Sequence, residues 1–308
     1  MTEKTPLLPP AIGSSHSSPK TINYLAYGSN LTSAVITDSR HIHPLEITPV
    51  RVPSLTLTFT LAGLPYLEPC FANVRPRRLP SPPPLAQQEK ELVGVIYKLT
   101  EEDYSRLFAS EGAGSGYQEF TVTCYPLTPA AATDSNEIIA TTLLCREGTS
   151  AGAMTRTSCQ PSHRYLQLLR EGARERGLPA SYVQHLDELR GYTITSRRQF
   201  VGGIVIMAVW GPVLTLVLLL NRILGRWEGG GGGGGRAPEW VLAFGRGVMS
   251  TMWGCYERVL VKVFGDGECT EGEEPNWITS TAGRAEVEKN GGGGGAEVEA
   301  LEVGGVEV

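Results

Sequence analysis

The sequence has few cysteines, and none of them has the spacing of a metal site or a disulfide framework. The six are scattered along the chain: Cys70, Cys124, Cys145, Cys159, Cys255 and Cys269. A structural zinc site needs ligands at short, regular spacings, and small secreted domains carry dense, paired cysteines. The sequence therefore predicts no metal, no cofactor, and reduced thiols of the kind found in a cytosolic protein.

A basic surface and a secretion signal are also lacking. The formal net charge is −5, and the glutamates concentrate near the C-terminus. The folded part shows no stripe of basic residues interleaved with aromatics, so the sequence predicts no nucleic-acid partner. Residues 1–20 contain proline, serine and charge but no apolar run, which argues against a signal peptide and predicts a disordered arm.

One stretch near the C-terminus lacks charge altogether. Phe200 to Leu220 contains no charged residue and is bounded by Arg197, Arg198 and Arg222. About 20 apolar residues are enough to cross a bilayer as a helix. We therefore predict a transmembrane helix over residues 200–221; the alternative is a helix buried in the protein core.

A second C-terminal helix follows a glycine linker at 229–235. From Trp240 to Leu260, apolar residues recur every fourth position, and the basic residues of this segment are Arg246, Arg258 and Lys262. This spacing predicts an amphipathic helix over residues 237–265 that lies in a membrane interface. Packing of this helix against the globular domain is the alternative. The acidic, glycine-rich residues 266–308 are predicted to be a disordered tail.

After the predicted disordered arm, the first stretch with the pattern of folded structure runs from Tyr24 to Leu31. Its first part, Ile22 to Tyr27, has the apolar and aromatic composition of a buried strand, and Gly28-Ser29-Asn30 then forms a tight turn. Such a turn presents backbone N–H groups, a hydroxyl and an amide that can hold a carboxylate or an oxyanion. The alternative is an ordinary turn between a strand and a helix.

Several short strands and few helices follow. Leu55 to Leu61 alternates apolar residues with threonine, which is typical of a strand with one buried face. Further strands are predicted at 70–76, 93–99, 120–125 and 138–144, and helices at 31–42, 101–110, 162–176 and 179–190. This order predicts an α+β fold with a small, closed or nearly closed mixed sheet.

Three motifs in this order resemble the gamma-glutamylcyclotransferase family. The first is the Tyr-Gly-Ser-Asn turn. The second is Glu111-Gly112 ahead of Tyr117, and the third is Pro161-Ser162 followed by Tyr165. The resemblance covers residues 24–192. It implies a small mixed β-barrel with helices packed outside, and a catalytic domain at residues 21–195.

The resemblance also implies the chemistry and the residues that carry it. Members of the family let the substrate's own α-amine attack its γ-carbonyl, which releases 5-oxoproline and the free amine without water. Glu111 is the residue that the resemblance makes the proton carrier, with Glu119 and Glu101 as lesser rivals. The residues implied for substrate binding are Tyr24, Leu25, Ala26, Tyr27, Gly28, Ser29, Asn30 and Tyr165.

The long tail resembles that of a fungal branch of the family. Some fungal members process glutathione-derived conjugates in toxin pathways of the gliotoxin type. The expected protein is thus an enzyme acting on a small gamma-glutamyl substrate, held in a membrane by a single helix with the catalytic domain in the cytosol. The alternative is a membrane-tethered module that binds gamma-glutamyl compounds without catalysis; an intact Glu111 argues against it.

Overall fold

Five strands close into a barrel, and the first strand of the chain is one of them. The computed structural model describes residues 20–77, 89–110, 118–127, 137–145, 155–156, 159–228, 237–273 and 276. The barrel strands are β1 (Thr21–Ala26), β2 (Glu46–Val52), β5 (Leu92–Thr100), β6 (Gln118–Pro126) and β7 (Ile138–Leu144). Their order around the barrel is β1-β5-β2-β6-β7, and a parallel pairing of β1 with β7 closes it. The predicted small mixed barrel is confirmed.

The strands form because their apolar side chains are buried, on both faces of the sheet. Leu25, Val50, Val95, Tyr97 and Leu99 are fully buried. β5 lies between β1 and β2 and is buried along most of its length, which fits its nearly continuous apolar sequence. β2 is absent from the sequence prediction, because its Glu-Ile-Thr-Pro-Val-Arg-Val sequence has a weak apolar pattern interrupted by a proline.

Two further predicted strands form a separate hairpin. β3 (Leu55–Leu64) and β4 (Glu68–Pro76) pair with each other in a two-stranded sheet. The Asn73 side chain ties this hairpin to the end of β7: its amide donates to the Cys145 carbonyl at 2.8 Å, and its oxygen accepts from the Cys145 N–H at 2.9 Å. The hairpin therefore covers the barrel without joining it.

The helices surround this core. They are α1 (Glu101–Ser110), α2 (His163–Glu175) and α3 (Ala180–Glu188). As the sequence predicts, Ser162 caps α2 by accepting a hydrogen bond from the Tyr165 N–H at 3.0 Å. The predicted helix at 31–42 is instead a short 3-10 helix, Ser29–Leu31, followed by a π-helix, Ala34–Ser39.

The C-terminal helices form a hairpin against the barrel. α4 (Arg197–Glu228) is followed by α5 (Glu239–Cys255), a π-helical segment (Tyr256–Leu260) and the short α6 (Val261–Phe264). One hydrophobic cluster joins them to the β3–β4 hairpin: Ala62, Tyr66, Ile206, Met252, Trp253, Tyr256 and Leu260. The C-terminal half of α5 therefore packs against the globular domain, which is one of the two alternatives given for this helix.

The segment after α6 is held on the barrel rather than belonging to a disordered tail. Glu268 accepts a hydrogen bond from Arg156 Nε at 2.9 Å, and Gln160 accepts one from the Thr270 N–H at 2.8 Å. The sequence prediction begins the tail at residue 266 because composition does not show these long-range contacts. Residues 266–273 therefore contact the region predicted as the catalytic domain, residues 21–195.

Several predicted segments lie outside the described residues. They are the N-terminal arm except Lys20, the glycine linker, and the tail beyond Glu273 except Asn276.

Trp253 generates a test of the packing between α5 and the barrel. Its side chain is fully buried, and its indole N–H donates to the Gly63 carbonyl at 3.1 Å. Trp253→Ala should destabilise this contact by about 3–5 kcal/mol, which is roughly a hundredfold or more in local opening. Trypsin cleavage after Arg258 and Lys262 in the full-length chain should accelerate accordingly.

Trp240→Ala is the matched control, because Trp240 lies on the same helix but is 59% exposed. Its cleavage rate should stay within about twofold of that of the wild type. Equal cleavage of the two variants would contradict the assigned packing.

Candidate functional site

The predicted substrate-binding turn lies where β1 leaves the barrel. The Leu31 N–H donates to the Gly28 carbonyl at 3.0 Å, and this bond closes the turn. Gly28 and Ser29 are partly exposed, whereas Leu25 and Ala26 are fully buried. Within the described residues, no hydrogen bond occupies the Ser29 hydroxyl. Gly28 and Ser29 are thus the part of the turn that a substrate can reach, while Leu25 and Ala26 shape the barrel beneath it.

Three phenol groups hold the turn from inside. The Tyr24 hydroxyl accepts from the Asn30 amide at 3.1 Å, the Tyr27 hydroxyl donates to the Leu143 carbonyl at 2.5 Å, and the Tyr97 hydroxyl donates to the Asn30 carbonyl at 2.9 Å. Burial raises the pKa of Tyr97 to about 12, against the opposing effect of a nearby arginine. Tyr97 therefore remains a hydrogen-bond donor across the physiological pH range.

Tyr165 reaches from α2 to the same place. Its hydroxyl accepts a hydrogen bond from the Ala72 N–H at 3.2 Å, and its ring meets Phe71 edge-on at 5.1 Å. A Cβ atom added to Gly28 would lie 3.2 Å from the Tyr165 hydroxyl and 3.5 Å from the Ala72 Cβ. The structure therefore brings together two of the predicted residues, Gly28 and Tyr165, with Ala72 of β4 as the third wall.

The C-terminal half of α2 supports the turn from behind. A Cβ atom at Gly172 would lie 2.5 Å from the Leu31 Cβ and 2.8 Å from the Thr32 nitrogen, so α2 and the turn are in direct backbone contact. Arg176 Nε donates to the Leu31 carbonyl at 2.8 Å. No motif in the sequence marks Arg176, and the available signal for this contact is the glycine inside a helix pattern at Gly172.

A carboxylate at the end of α2 adds to this support. Glu175 accepts from the Ser33 N–H at 3.0 Å and from the Ser33 hydroxyl. Burial alone would raise the pKa of Glu175, but the hydrogen bonds from Ser33 and the charge of Arg176 lower it. Glu175 is therefore ionised at neutral pH and fixes the chain just after the turn.

The predicted proton carrier, Glu111, lies outside the described residues, as does the Gly112–Tyr117 segment. The residue before it, Ser110, is the last residue of α1, and its hydroxyl accepts a hydrogen bond from Arg40 Nη1. Arg40 directly follows the π-helix Ala34–Ser39. Arg40 therefore contacts Ser110, the last described residue before Glu111.

The two rival carboxylates occupy different positions. Glu101 is exposed in the first turn of α1, about 13 Å along the helix axis from Ser110. Glu119 accepts a hydrogen bond from the Tyr104 hydroxyl at 2.5 Å, and the Tyr104 ring lies 6.2 Å from the Tyr24 ring. Burial and the bond to Glu119 raise the pKa of Tyr104. Glu119 is therefore linked to the turn through two rings, and Glu101 is not.

A cavity of about 480 Å³ lies away from this turn. Its lining residues come from the C-terminal segment and its contact with the barrel: Thr155, Arg156, Tyr256, Glu257, Val261, Asp266, Glu268 and Cys269. The Arg156 guanidinium stacks 4.6 Å from the Trp253 ring centre and forms ion pairs with Glu268 and Glu257. None of the predicted site residues that the structure describes lines this cavity.

The sequence matches two family profiles. The profile of the AIG2-like family matches residues 91–186, and that of the AclK C-terminal domain matches residues 196–263. The chain is 32% identical over 259 residues to gamma-glutamyl cyclotransferase aclK of Aspergillus oryzae, and this match covers 80% of the chain and 89% of that protein.

A second relative and one solved structure were also matched. The chain is 32% identical over 255 residues to gamma-glutamyl cyclotransferase gliK of Aspergillus fumigatus, covering 80% of the chain and 88% of that protein. A solved structure of a gamma-glutamyl cyclotransferase is 20% identical with a TM-score of 0.42, covering 61% of this chain and 99% of that one.

Gly172 provides a test of how α2 supports the turn. Gly172→Ala should lower the free energy of unfolding by about 1–3 kcal/mol, because the added methyl group meets backbone atoms that cannot move aside easily. This loss outweighs the gain in helix propensity. We expect a lower melting temperature in thermal unfolding of the full-length chain.

Glu171→Ala serves as the control, since Glu171 is exposed on the same helix. Its effect should stay within about 0.5 kcal/mol. A Gly172→Ala variant as stable as this control would show that α2 does not press on the turn.

Proposed function

The chain belongs to the gamma-glutamylcyclotransferase family and is an enzyme of that type, and we propose that its substrate site lies at the convergence of Gly28, Ala72 and Tyr165. The reaction closes a lactam ring from the gamma-glutamyl group and releases 5-oxoproline and an amine. The observation that supports this location most directly is the absence of a side chain at Gly28. Any larger residue there would fill the space in front of the Tyr165 hydroxyl.

Positioning accounts for part of the proposed catalysis. The α-amine of the substrate must fold back onto its γ-carbonyl, and holding the two in near-attack geometry removes much of the entropic barrier. The exposed Gly28-Ser29 backbone and the Ser29 hydroxyl are donors suited to the substrate carboxylate or to the developing oxyanion. The buried phenols beneath the turn keep these donors in place before the substrate arrives.

We assign proton transfer to Glu111. A carboxylate can accept a proton from the attacking amine and return it to the leaving nitrogen. Arg40 hydrogen-bonds Ser110, the residue directly before Glu111.

For the substrate, we propose a gamma-glutamyl amide derived from glutathione, in a pathway of fungal secondary metabolism. Support comes from the two Aspergillus relatives, whose similarity spans most of this chain, and from the match of the C-terminal region to the AclK C-terminal domain. The test is to incubate the full-length protein with glutathione, gamma-glutamyl amino acids and a bis-glutathionyl conjugate. We expect 5-oxoproline release, fastest with the conjugate.

Faster turnover of simple gamma-glutamyl amino acids would overturn the substrate assignment while leaving the activity intact. Binding without 5-oxoproline release from any of the three would favour the non-catalytic binding module.

We also infer that the protein is attached to a membrane through α4, with the catalytic domain in the cytosol. Among the described residues, Arg197–Leu224 is a helix long and apolar enough to cross a bilayer, and only 17% of its most apolar window is buried. A core helix of a soluble protein would be mostly buried, which makes lipid the more fitting surrounding for α4.

Glu111→Gln tests the proton carrier. The amide keeps the shape of the side chain but cannot accept the proton, so kcat should fall at least about a hundredfold while substrate binding persists. The measurement is the rate of 5-oxoproline release together with the affinity for substrate.

Glu119→Gln is the matched control, because its amide oxygen can still accept the bond from Tyr104. Its kcat should remain within about tenfold of that of the wild type. If Glu119→Gln is the more damaging change, the proton carrier is Glu119.

Tyr165→Phe tests the substrate site. The ring keeps its contact with Phe71, but the Ala72 N–H loses its acceptor and the substrate loses the hydroxyl in front of Gly28. We expect kcat/KM for 5-oxoproline release to fall about tenfold.

Tyr125→Phe is the control, because it removes a hydroxyl that bonds Glu137 at the barrel surface. It should change kcat/KM by less than about twofold. An unchanged kcat/KM in Tyr165→Phe would remove Tyr165 from the site.

A further inference from the structure

Both ends of the α4–α5 hairpin are attached to the same side of the barrel. Near the start of α4, a Cβ atom at Gly202 would lie 3.0 Å from the Tyr66 ring. At the other end, Trp253 of α5 bonds the Gly63 carbonyl, and the Tyr66 N–H donates to the Gly267 carbonyl at 2.8 Å. The tip of the β3–β4 hairpin therefore holds the first turns of α4 and the residues that follow α5.

Beyond this attachment, the two helices pack on each other. A Cβ atom at Gly245 would lie 3.1 Å from Val217. A small cluster of Ala237, Val241 and Leu242 packs against Leu220 and Leu224 at the far end. The chain therefore runs away from the barrel along α4 and returns along α5.

The outer surface of this helical hairpin is apolar. On α4 the exposed large apolar residues are Phe200, Val201, Ile204, Met207, Val209, Leu216, Leu218, Leu219 and Ile223. At 3.6 residues per turn, these positions cover roughly 200° of the helix circumference. On α5, Trp240 and Phe244 are exposed as well. A soluble helix would present polar residues on such a face.

Polar side chains within the hairpin bond to their own helix. The hydroxyl of Thr215 donates to the Gly211 carbonyl at 2.8 Å, the amide of Asn221 to the Val217 carbonyl at 3.0 Å, and the hydroxyl of Thr251 to the Gly247 carbonyl at 2.7 Å. Each bond satisfies one donor of the side chain without water, which suits a helix in hydrocarbon.

Charged residues are confined mainly to the two ends. Arg197 and Arg198 lie at the barrel end of α4, whereas Arg222 and Glu239 lie at the far end of the hairpin. Arg246, partly buried, is the one charged residue between Trp240 and Cys255, and its long side chain can extend toward the nearby far end.

We propose that α4 and α5 enter a lipid bilayer together, far end first, so that both ends of the hairpin stay on the side of the catalytic domain. This inference rests on the membrane attachment proposed above and not on the enzymatic activity. It replaces the single crossing expected from the sequence. A single crossing would carry α5 and Glu268 to the opposite face and break the Trp253–Gly63 and Arg156–Glu268 bonds.

Lipid fits this surface better than a second copy of the chain. A partner helix covers one stripe of a helix, whereas the exposed apolar residues of α4 extend over more than half of its circumference. Phe200 to Leu220 is also about 30 Å long as a helix, close to the hydrocarbon thickness of a bilayer.

The topology is tested with the full-length chain in sealed microsomes, carrying one epitope tag before residue 1 and another after residue 308. Protease added outside should remove both tags or neither, and the protein should remain in the membrane pellet after carbonate extraction. Removal of one tag alone would show a single crossing and overturn the proposal. Extraction into the supernatant would overturn membrane insertion. A soluble assembly of copies would give this result. 5-Oxoproline release, measured on the same samples, reports the enzymatic proposal separately.

A paired substitution tests the surface itself. Val209→Arg with Leu218→Arg places two charges on exposed positions of α4, 57% and 69% exposed. The membrane-bound fraction should fall at least tenfold, because a charge inside hydrocarbon is costly.

Ile139→Arg is the matched control, since Ile139 is 67% exposed on β7 of the barrel. It should leave the membrane-bound fraction unchanged. If the double variant stays in the pellet as fully as this control, the exposed face of α4 does not contact lipid.

Discussion

The close packing of α2 across the end of β1 is the constraint on which the site depends. Gly172 lets the backbone of α2 touch that of Leu31, and Arg176 then bonds the Leu31 carbonyl. At the other end of the same helix, Tyr165 reaches β4. Because one rigid helix contacts both the turn and β4, the distance between Gly28 and Ala72 is set by α2. Preorganisation of this kind is what a reaction governed by positioning requires.

The β3–β4 hairpin connects this site to the helical hairpin. Tyr66 at its tip bonds the Gly265 and Gly267 carbonyls and packs on α4, and Ala72 of β4 faces Tyr165. Ala72 lies six positions after Tyr66, four of them along β4, which places it at most about 20 Å away. This hairpin therefore joins the proposed substrate site to the helices proposed to enter the membrane.

The C-terminal segment contributes a network of buried charges and hydrogen bonds to the fold. Burial raises the pKa of Glu268, while Arg156 opposes this rise and holds the carboxylate by an ion pair. Asp266 accepts hydrogen bonds from the N–H groups of Glu268 and Cys269. Removing one partner of this buried network would leave an uncompensated charge, which is the costly case for buried ion pairs.

The sequence by itself determined most of the elements and the family. The alternation from Leu55 to Leu61, the cap at Ser162 and the uncharged run from Phe200 each depend on neighbours within a few residues, so local patterns predict them. The motifs around Gly28 and Tyr165 identified the family for a similar reason, since their residues stand in a fixed order along the chain.

Only the tertiary structure decided which of these elements meet. The proximity of Gly28, Ala72 and Tyr165, the pressure of Gly172 on the turn and the return of residues 266–273 to the barrel join positions far apart in sequence. No local period records such contacts, because they arise from the way the barrel closes and from side-chain shapes that meet only after it has closed. For the same reason, the sequence showed that α4 is apolar but not that α5 returns beside it.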